Sequence, residues 1–217
     1  MTDFAAARTM MVDTQIRPSD VTRYPIIDAM LRTPREEYLP AEAKPVAYLG
    51  DHVDIGEGRV ALDPRVLAKM LDALDIQPTE LVLDVGAGLG YSTAILGALA
   101  EAVVGVEEVE SFARRAEDTL NAQGVDNATI EVRALTAGAE EHGPYDVIIL
   151  QGAAEALPDA IADQLREDGR IAMIQADGSL GYCAIGVKGR NGISWRRSFD
   201  ATAPLLPGFT AEKGFVF

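Results

Sequence analysis

The chain is poor in cysteine, histidine and positive charge, and each shortage removes a class of function. With one cysteine among 217 residues, an internal disulfide is excluded and a reducing compartment fits. Cys183 is also a weak candidate for a nucleophile, because it sits in the apolar alternation of residues 182–187 and reads as buried strand. His52 and His142 are far apart in sequence, with no Cys or His cluster near either, so no metal site is expected. Lys and Arg number 19 against 34 Asp and Glu, and the net charge of −15 would repel a phosphate backbone; nucleic acid is not the expected partner. The acids are scattered, as on an ordinary solvated surface. No apolar run approaches a membrane span, and no membrane association is expected. The opening MTDFAAARTM lacks the basic-then-apolar form of a secretion signal, and the expected location is the cytoplasm. Repeats and low-complexity tracts are absent.

At 48% hydrophobic and 217 residues, the chain can bury a full core. Residues 3–15 and 20–33 read as two helices parted by Arg17-Pro18-Ser19, with Ser19 or Asp20 capping the second and Ile26, Ile27, Met30 and Leu31 on its apolar face. Pro34, Pro40 and Pro45 punctuate an irregular stretch, and residues 51–59 (DHVDIGEGR) read as a glycine-bearing loop. Asp63-Pro64 starts a helix whose buried stripe is Val66, Leu67, Met70, Leu71 and Leu74. Strands and helices then alternate: strand 81–85, helix 91–100, strand 102–107, helix 110–123, strand 128–133, strand 145–150, a helix near 156–166 and strand 170–175. Gly124 and Gly169 suit helix C-caps or the turns after them, and GRNG at 189–192 joins two final strands, 181–188 and 193–201, as a hairpin. The expected fold is a doubly wound, mostly parallel α/β sheet with an antiparallel C-terminal hairpin and an N-terminal helical extension. Residues 1–76 would form the extension and a covering loop, and 77–217 the α/β part, together one compact unit.

The most informative stretch is Leu83-Asp84-Val85-Gly86-Ala87-Gly88-Leu89-Gly90-Tyr91. Three glycines fill a strand-to-helix turn, where the missing Cβ atoms let a ligand approach the backbone. The next strand-like run ends in Glu107, placed to accept hydrogen bonds from both hydroxyls of a ribose. The spacing is not that of the dinucleotide fingerprint: Tyr91 stands where the third glycine of G-x-G-x-x-G would fall. Asp84, two residues before the first glycine, is awkward against a pyrophosphate and useful against an ammonium and a sulfonium. The rim of strand ends would carry residues 86–90, Glu107, Leu135 and Gln151. The D-x-G-x-G-x-G order resembles motif I of the class I, Rossmann-like S-adenosylmethionine-dependent methyltransferases, which implies a cofactor site at Asp84, Gly86, Ala87, Gly88, Gly90, Tyr91, Ser92 and Glu107. A nicotinamide or flavin site, or a purely structural turn, is the other reading of the same glycines.

Beyond motif I the resemblance narrows. Thr33-Pro34-Arg35-Glu36-Glu37-Tyr38-Leu39-Pro40 looks like the "P-R-E-x-F-x-P" run of the protein-L-isoaspartate O-methyltransferases. Ala47-Tyr48 with Ile55-Gly56-Glu57-Gly58 is similar to that family's "A-Y … I-G-x-G" loop, and Pro144-Tyr145-Asp146-Val147-Ile148-Ile149 to its "P-F-D-x-I-I" strand. Ala153-Ala154 with Pro158, Gln164-Leu165 and Asp168-Gly169-Arg170 continue the series in the family's order, so that the similarity covers residues 10–175. It implies methylation of the α-carboxylate of isoaspartyl residues in damaged proteins or peptides, with S-adenosylmethionine as cofactor, followed by collapse of the ester to a succinimide. Two positions depart from the pattern. Leu62 stands where "G-x-T-I-S-x-P" has serine, leaving Arg59 as the candidate partner of the acceptor carboxylate. Leu135 stands where "G-D-G" has the acid that meets the adenine amino group. A same-fold methyltransferase acting on a small molecule, and a cofactor-binding descendant impaired in turnover, remain open alternatives.

Overall fold

The computed structural model describes residues 3–178 and 180–211. The chain opens with α1 (Phe4–Met11), where the Asp3 side chain accepts from the Ala6 N–H, and continues through a wider π turn at Val12–Ile16 and a 3-10 turn at Arg17–Ser19. Helix α2 (Tyr24–Arg32) starts three residues later than the Asp20 cap would place it, because Asp20 is left-handed, at φ 66°, and closes the preceding turn; Pro25 takes the first helical turn instead. Ile26, Ile27 and Met30 are buried as the apolar spacing requires. Residues 51–59 are more than a loop. They contain β1 (Val53–Gly56) and the start of β2 (Arg59–Ala61), an antiparallel hairpin turned by Glu57 and Gly58, both at positive φ.

Asp63 caps α3 (Pro64–Leu74) by accepting from the Arg65 N–H at 2.7 Å, and the whole predicted stripe from Val66 to Leu74 is buried. The α/β series follows: β3 (Leu81–Val85), α4 (Tyr91–Gly97), β4 (Ala102–Glu107), α5 (Glu110–Ala122), β5 (Ala128–Val132), β6 (Tyr145–Ala154), α6 (Asp159–Gln164), β7 (Leu165–Asp177), β8 (Leu180–Gly189) and β9 (Gly192–Asp200). Strand β6 runs four residues past its expected end and α6 is shorter than expected, since β7 takes over directly at Leu165. Gly124 caps at φ 71°, whereas beside Gly169 it is Asp168 that takes the left-handed conformation.

One sheet runs in the order β5-β4-β3-β6-β7-β8-β9, parallel through β7 and antiparallel beyond it. The near-continuous apolar burial of β3, β4 and β6 is what strands covered on both faces require. One face packs with α1, α2 and α3 in a single apolar cluster; the other packs with α6, Leu135 and the segment carrying Leu206 and Phe209. Cys183 is buried on β8, and burial pushes its thiol up to about 12, away from any nucleophilic role. Chain order reverses direction across the sheet at β3, so the glycine turn after β3 lies at the switch point, where ligands bind in open α/β sheets. No described helix is long and apolar enough to cross a membrane.

Candidate functional site

The turn after β3 is tied to the next strand by the N–H groups of Gly86 and Ala87, which donate to the Val106 carbonyl at 2.9 and 3.1 Å. Gly86, Gly88 and Gly90 take φ of 81°, 57° and 91°, which side-chain-bearing residues rarely adopt. Gly90 has a further reason: a Cβ there would lie 3.1 Å from the Ala116 methyl on α5.

Asp84 is fully buried and spends its oxygens on the protein. One accepts from the Ser92 and Thr93 hydroxyls, each at 2.7 Å, and the other from the Gln151 amide at 2.7 Å. Burial raises its pKa, and these three donors oppose the rise. The carboxylate expected to face a cationic ligand instead pins β3, α4 and the end of β6 together. Thr93 was not foreseen in the sequence, although hydroxyls on the first turn of α4 are the natural partners of an acid at the end of β3.

Glu107 ends β4 with no exposure and accepts from the Gly88 N–H at 2.8 Å, the Val109 N–H at 3.0 Å and Arg59 Nη1 at 3.3 Å. Arg59 also donates through Nη2 to the Gly86 carbonyl at 2.8 Å and is 3% exposed. Read from sequence as the partner of an acceptor carboxylate, Arg59 is turned instead into the cleft, because a buried carboxylate without a cation is costly and this guanidinium reaches it.

Leu62 is buried on the loop after β2, and its carbonyl accepts from Arg35 Nη2 at 2.8 Å. Arg35, fully buried, also holds the Ala47 carbonyl at 2.9 Å and lies 4.7 Å above the Tyr91 ring. Burial lowers its pKa from the ordinary arginine value. The hydroxyls of Tyr38 and Tyr91 are buried without a hydrogen-bond partner. These residues belong to the P-R-E run and to motif I, yet their convergence under the Leu62 loop is set by tertiary packing. Leu135 is fully buried in the same apolar cluster as Val85, Val106, Leu206 and Phe209. The grouping of Glu131, Glu141 and His142 has the spacing of metal ligands, but both its carboxylates already pair with Arg133.

An adenosyl sulfonium needs a glycine turn that admits its backbone-hugging chain and a buried acid for its ribose. Residues 86–90 and Glu107 have that chemistry. The space beside them is taken by the chain itself: a Cβ on Gly88 would meet Ile55 Cδ1 at 2.8 Å, and one on Gly86 would meet Arg59 at 2.7 Å and Leu206 at 3.3 Å. The remaining cavity, lined by Tyr38, Ile55, Leu62, Gly88, Tyr91 and Gln151, is about 20 Å³. The larger cleft of about 700 Å³ lies elsewhere, between α2 and the loop before β5.

The family model described as protein-L-isoaspartate(D-aspartate) O-methyltransferase matches residues 7–184. A protein of that name from Roseiflexus castenholzii is 35% identical over 169 residues, covering 78% of this chain and 77% of the relative. One from Koribacter versatilis is 36% identical over 171 residues, covering 79% and 77%. Among solved structures, a protein-L-isoaspartate O-methyltransferase aligns with TM-score 0.81 at 21% identity, over 93% of this chain and 66% of its own. A Plasmodium falciparum protein described as a putative member, in complex with S-adenosyl-L-homocysteine, aligns with TM-score 0.78 at 21% identity, over 95% and 99%. At such identities the two structures speak for the shared fold.

Proposed function

The chain belongs to the protein-L-isoaspartate(D-aspartate) O-methyltransferase family, and from that membership we infer an S-adenosylmethionine-dependent enzyme that methylates the α-carboxylate of isoaspartyl residues in damaged proteins. The observation that carries the reading to this chain's own residues is the buried Glu107 at the end of β4, facing the glycine turn after β3. Glu107 would accept from the ribose hydroxyls, residues 86–90 with Ala87, Tyr91 and Ser92 would border the methionine portion, and Leu135 would lie against the adenine. Asp84 keeps the turn in register through Ser92 and Gln151. When bound, the cofactor supplies an electrophilic methyl group on sulfonium.

The rest of the work falls to positioning. The acceptor carboxylate is ionised at neutral pH and needs no general base. The chain must align it and exclude water, tasks for the buried loop around Leu62 and for the hairpin β1–β2. With leucine at 62, no hydroxyl from that position meets the acceptor. We place the substrates among ageing proteins of the cytoplasm. A second reading, cofactor binding without turnover, draws on Leu62. Incubating the protein and radiolabelled S-adenosylmethionine with an aged protein rich in isoaspartate and with its fresh counterpart tests both: label enters the aged protein alone if the enzyme is active, and neither if it is not.

A further inference from the structure

Arg59 lies where a cofactor must go. It takes one lone pair of Glu107 and the Gly86 carbonyl, both at the edge of the glycine turn, and it is 3% exposed. It is carried by β2, whose partner strand β1 lays Ile55 on Gly88. From the opposite side comes the segment after β9. Leu206 donates its N–H to the Ala153 carbonyl at 2.9 Å, Ala153 donates to the Pro204 carbonyl at 2.9 Å, and Glu155 donates to the Phe209 carbonyl at 2.9 Å. Leu206 is 2% exposed, and its Cδ2 lies 2.6 Å from where a Gly152 Cβ would be. His52, beside the hairpin, fastens the same segment: its Nδ1 accepts from the Asp63 N–H at 2.9 Å, which leaves Nε2–H to donate to the Thr202 carbonyl at 2.7 Å.

We propose that Arg59 is a latch on the cofactor cleft: it competes with the ribose for Glu107, and its ion pair, together with the Leu206 strap, sets the affinity and entry rate of the adenosyl cofactor. The inference rests on the methyltransferase reading above. A cleft for a ligand of this size has a volume of roughly 300–1,000 Å³; the cavity beside the glycine turn is about 20 Å³, and neither Glu107 nor Arg59 lines it. Binding therefore draws on an open arrangement in which the hairpin and strap have withdrawn, and the apparent dissociation constant is the intrinsic one divided by the open fraction. Removing the guanidinium takes away two contacts that belong to the closed arrangement alone. The cofactor then finds Glu107 held only by the backbone N–H groups of Gly88 and Val109, which leave room for ribose hydroxyls.

The test is calorimetric titration of the full chain with S-adenosylhomocysteine, with stopped-flow association in parallel. Arg59→Gln is expected to bind on the order of 10-fold tighter than wild type, the gain when a minor open state becomes a substantial one. Arg59→Lys, which keeps a cation near Glu107, should stay close to wild type. In wild type the observed association rate should level off with ligand concentration, since opening limits it, and in Arg59→Gln it should keep rising. Leu206→Ala is the second variant, expected to tighten binding without touching the ion pair, and it decides the matter if Arg59→Gln does not fold. Affinity in the folded Arg59→Gln variant equal to or weaker than wild type overturns the latch while leaving the methyltransferase reading intact; so does an unchanged affinity in Leu206→Ala if Arg59→Gln is unfolded. Absence of binding in wild type and every folded variant overturns that reading, and the latch with it.

Discussion

Replacing Asp84 separates two ways in which a buried acid can matter. Its carboxylate takes three donors at 2.7 Å: Ser92, Thr93 and Gln151. Hydrogen bonds to a charged group are worth about 1.5–3 kcal/mol each, offset by the desolvation of the carboxylate. Asp84→Ala strands two hydroxyls and an amide in a buried site and opens a cavity, and it should destabilise by about 3–5 kcal/mol. Asp84→Asn keeps the shape. Its oxygen can serve Ser92 and Thr93, and its amide then faces Gln151, which can turn its own amide to present an oxygen. All four groups stay paired, so the loss should be only about 1–2 kcal/mol, the difference between charged and neutral bonds. Gln151→Leu removes a bond to a charged group in wild type but only a neutral one in the Asp84→Asn background, so the double variant Asp84→Asn with Gln151→Leu should lose less than the sum of the single changes. Urea denaturation gives each value. Asn and Ala variants of equal stability would refute the reasoning, as would an additive double variant.

Leu62→Ser restores a hydroxyl near the acceptor; one neutral hydrogen bond, about 0.5–1.5 kcal/mol, should raise kcat/KM for isoaspartyl peptides roughly 2–10-fold, and an unchanged or lower value would show that this loop does not meet the acceptor. Tyr38→Phe removes a buried hydroxyl without a partner, and thermal denaturation should show a gain of about 1 kcal/mol, where a loss would reveal a bond to that hydroxyl. Glu80 is held in a bidentate pair with Arg170 at 2.7 and 2.8 Å; its burial would raise the carboxyl pKa, but the Arg170 bonds outweigh that and leave it below its ordinary 4.5. Because the unfolded chain then binds the proton more readily, the pair stabilises above that ordinary value and fades as pH falls through the depressed one. Denaturation at about pH 6 and about pH 3 should therefore show a smaller acid loss in Glu80→Gln than in wild type, and equal losses would contradict the linkage.

Much of this fold is legible locally. Strands β3 and β4 have the expected bounds because strands buried on both faces are short apolar runs, ended here by a glycine turn and by Glu107. The Asp63-Pro64 helix start and the 189–192 hairpin are equally local, since a capping acid and a glycine turn need no distant partner. The hairpin over residues 51–59 was not legible: strands of four and three residues carry too little alternation to stand out from a glycine loop. The cradle of the site was visible in the spacing of its glycines and acid. What fills it was not, for Arg59 meets a carboxylate 48 positions away, and the 204–209 segment carries no local signal for its docking on the end of β6. Arginine at a loop position looks solvated in any local window; only the buried Glu107 makes its burial favourable.

The most direct measurement of function is the initial rate of methyl transfer from S-adenosylmethionine to a synthetic isoaspartyl peptide and to its twin containing normal aspartate. Isoaspartyl methyltransfer predicts turnover of the first, followed by succinimide formation, with no reaction of the second. Equal rates on the twins, or none on either with the cofactor bound, would contradict it.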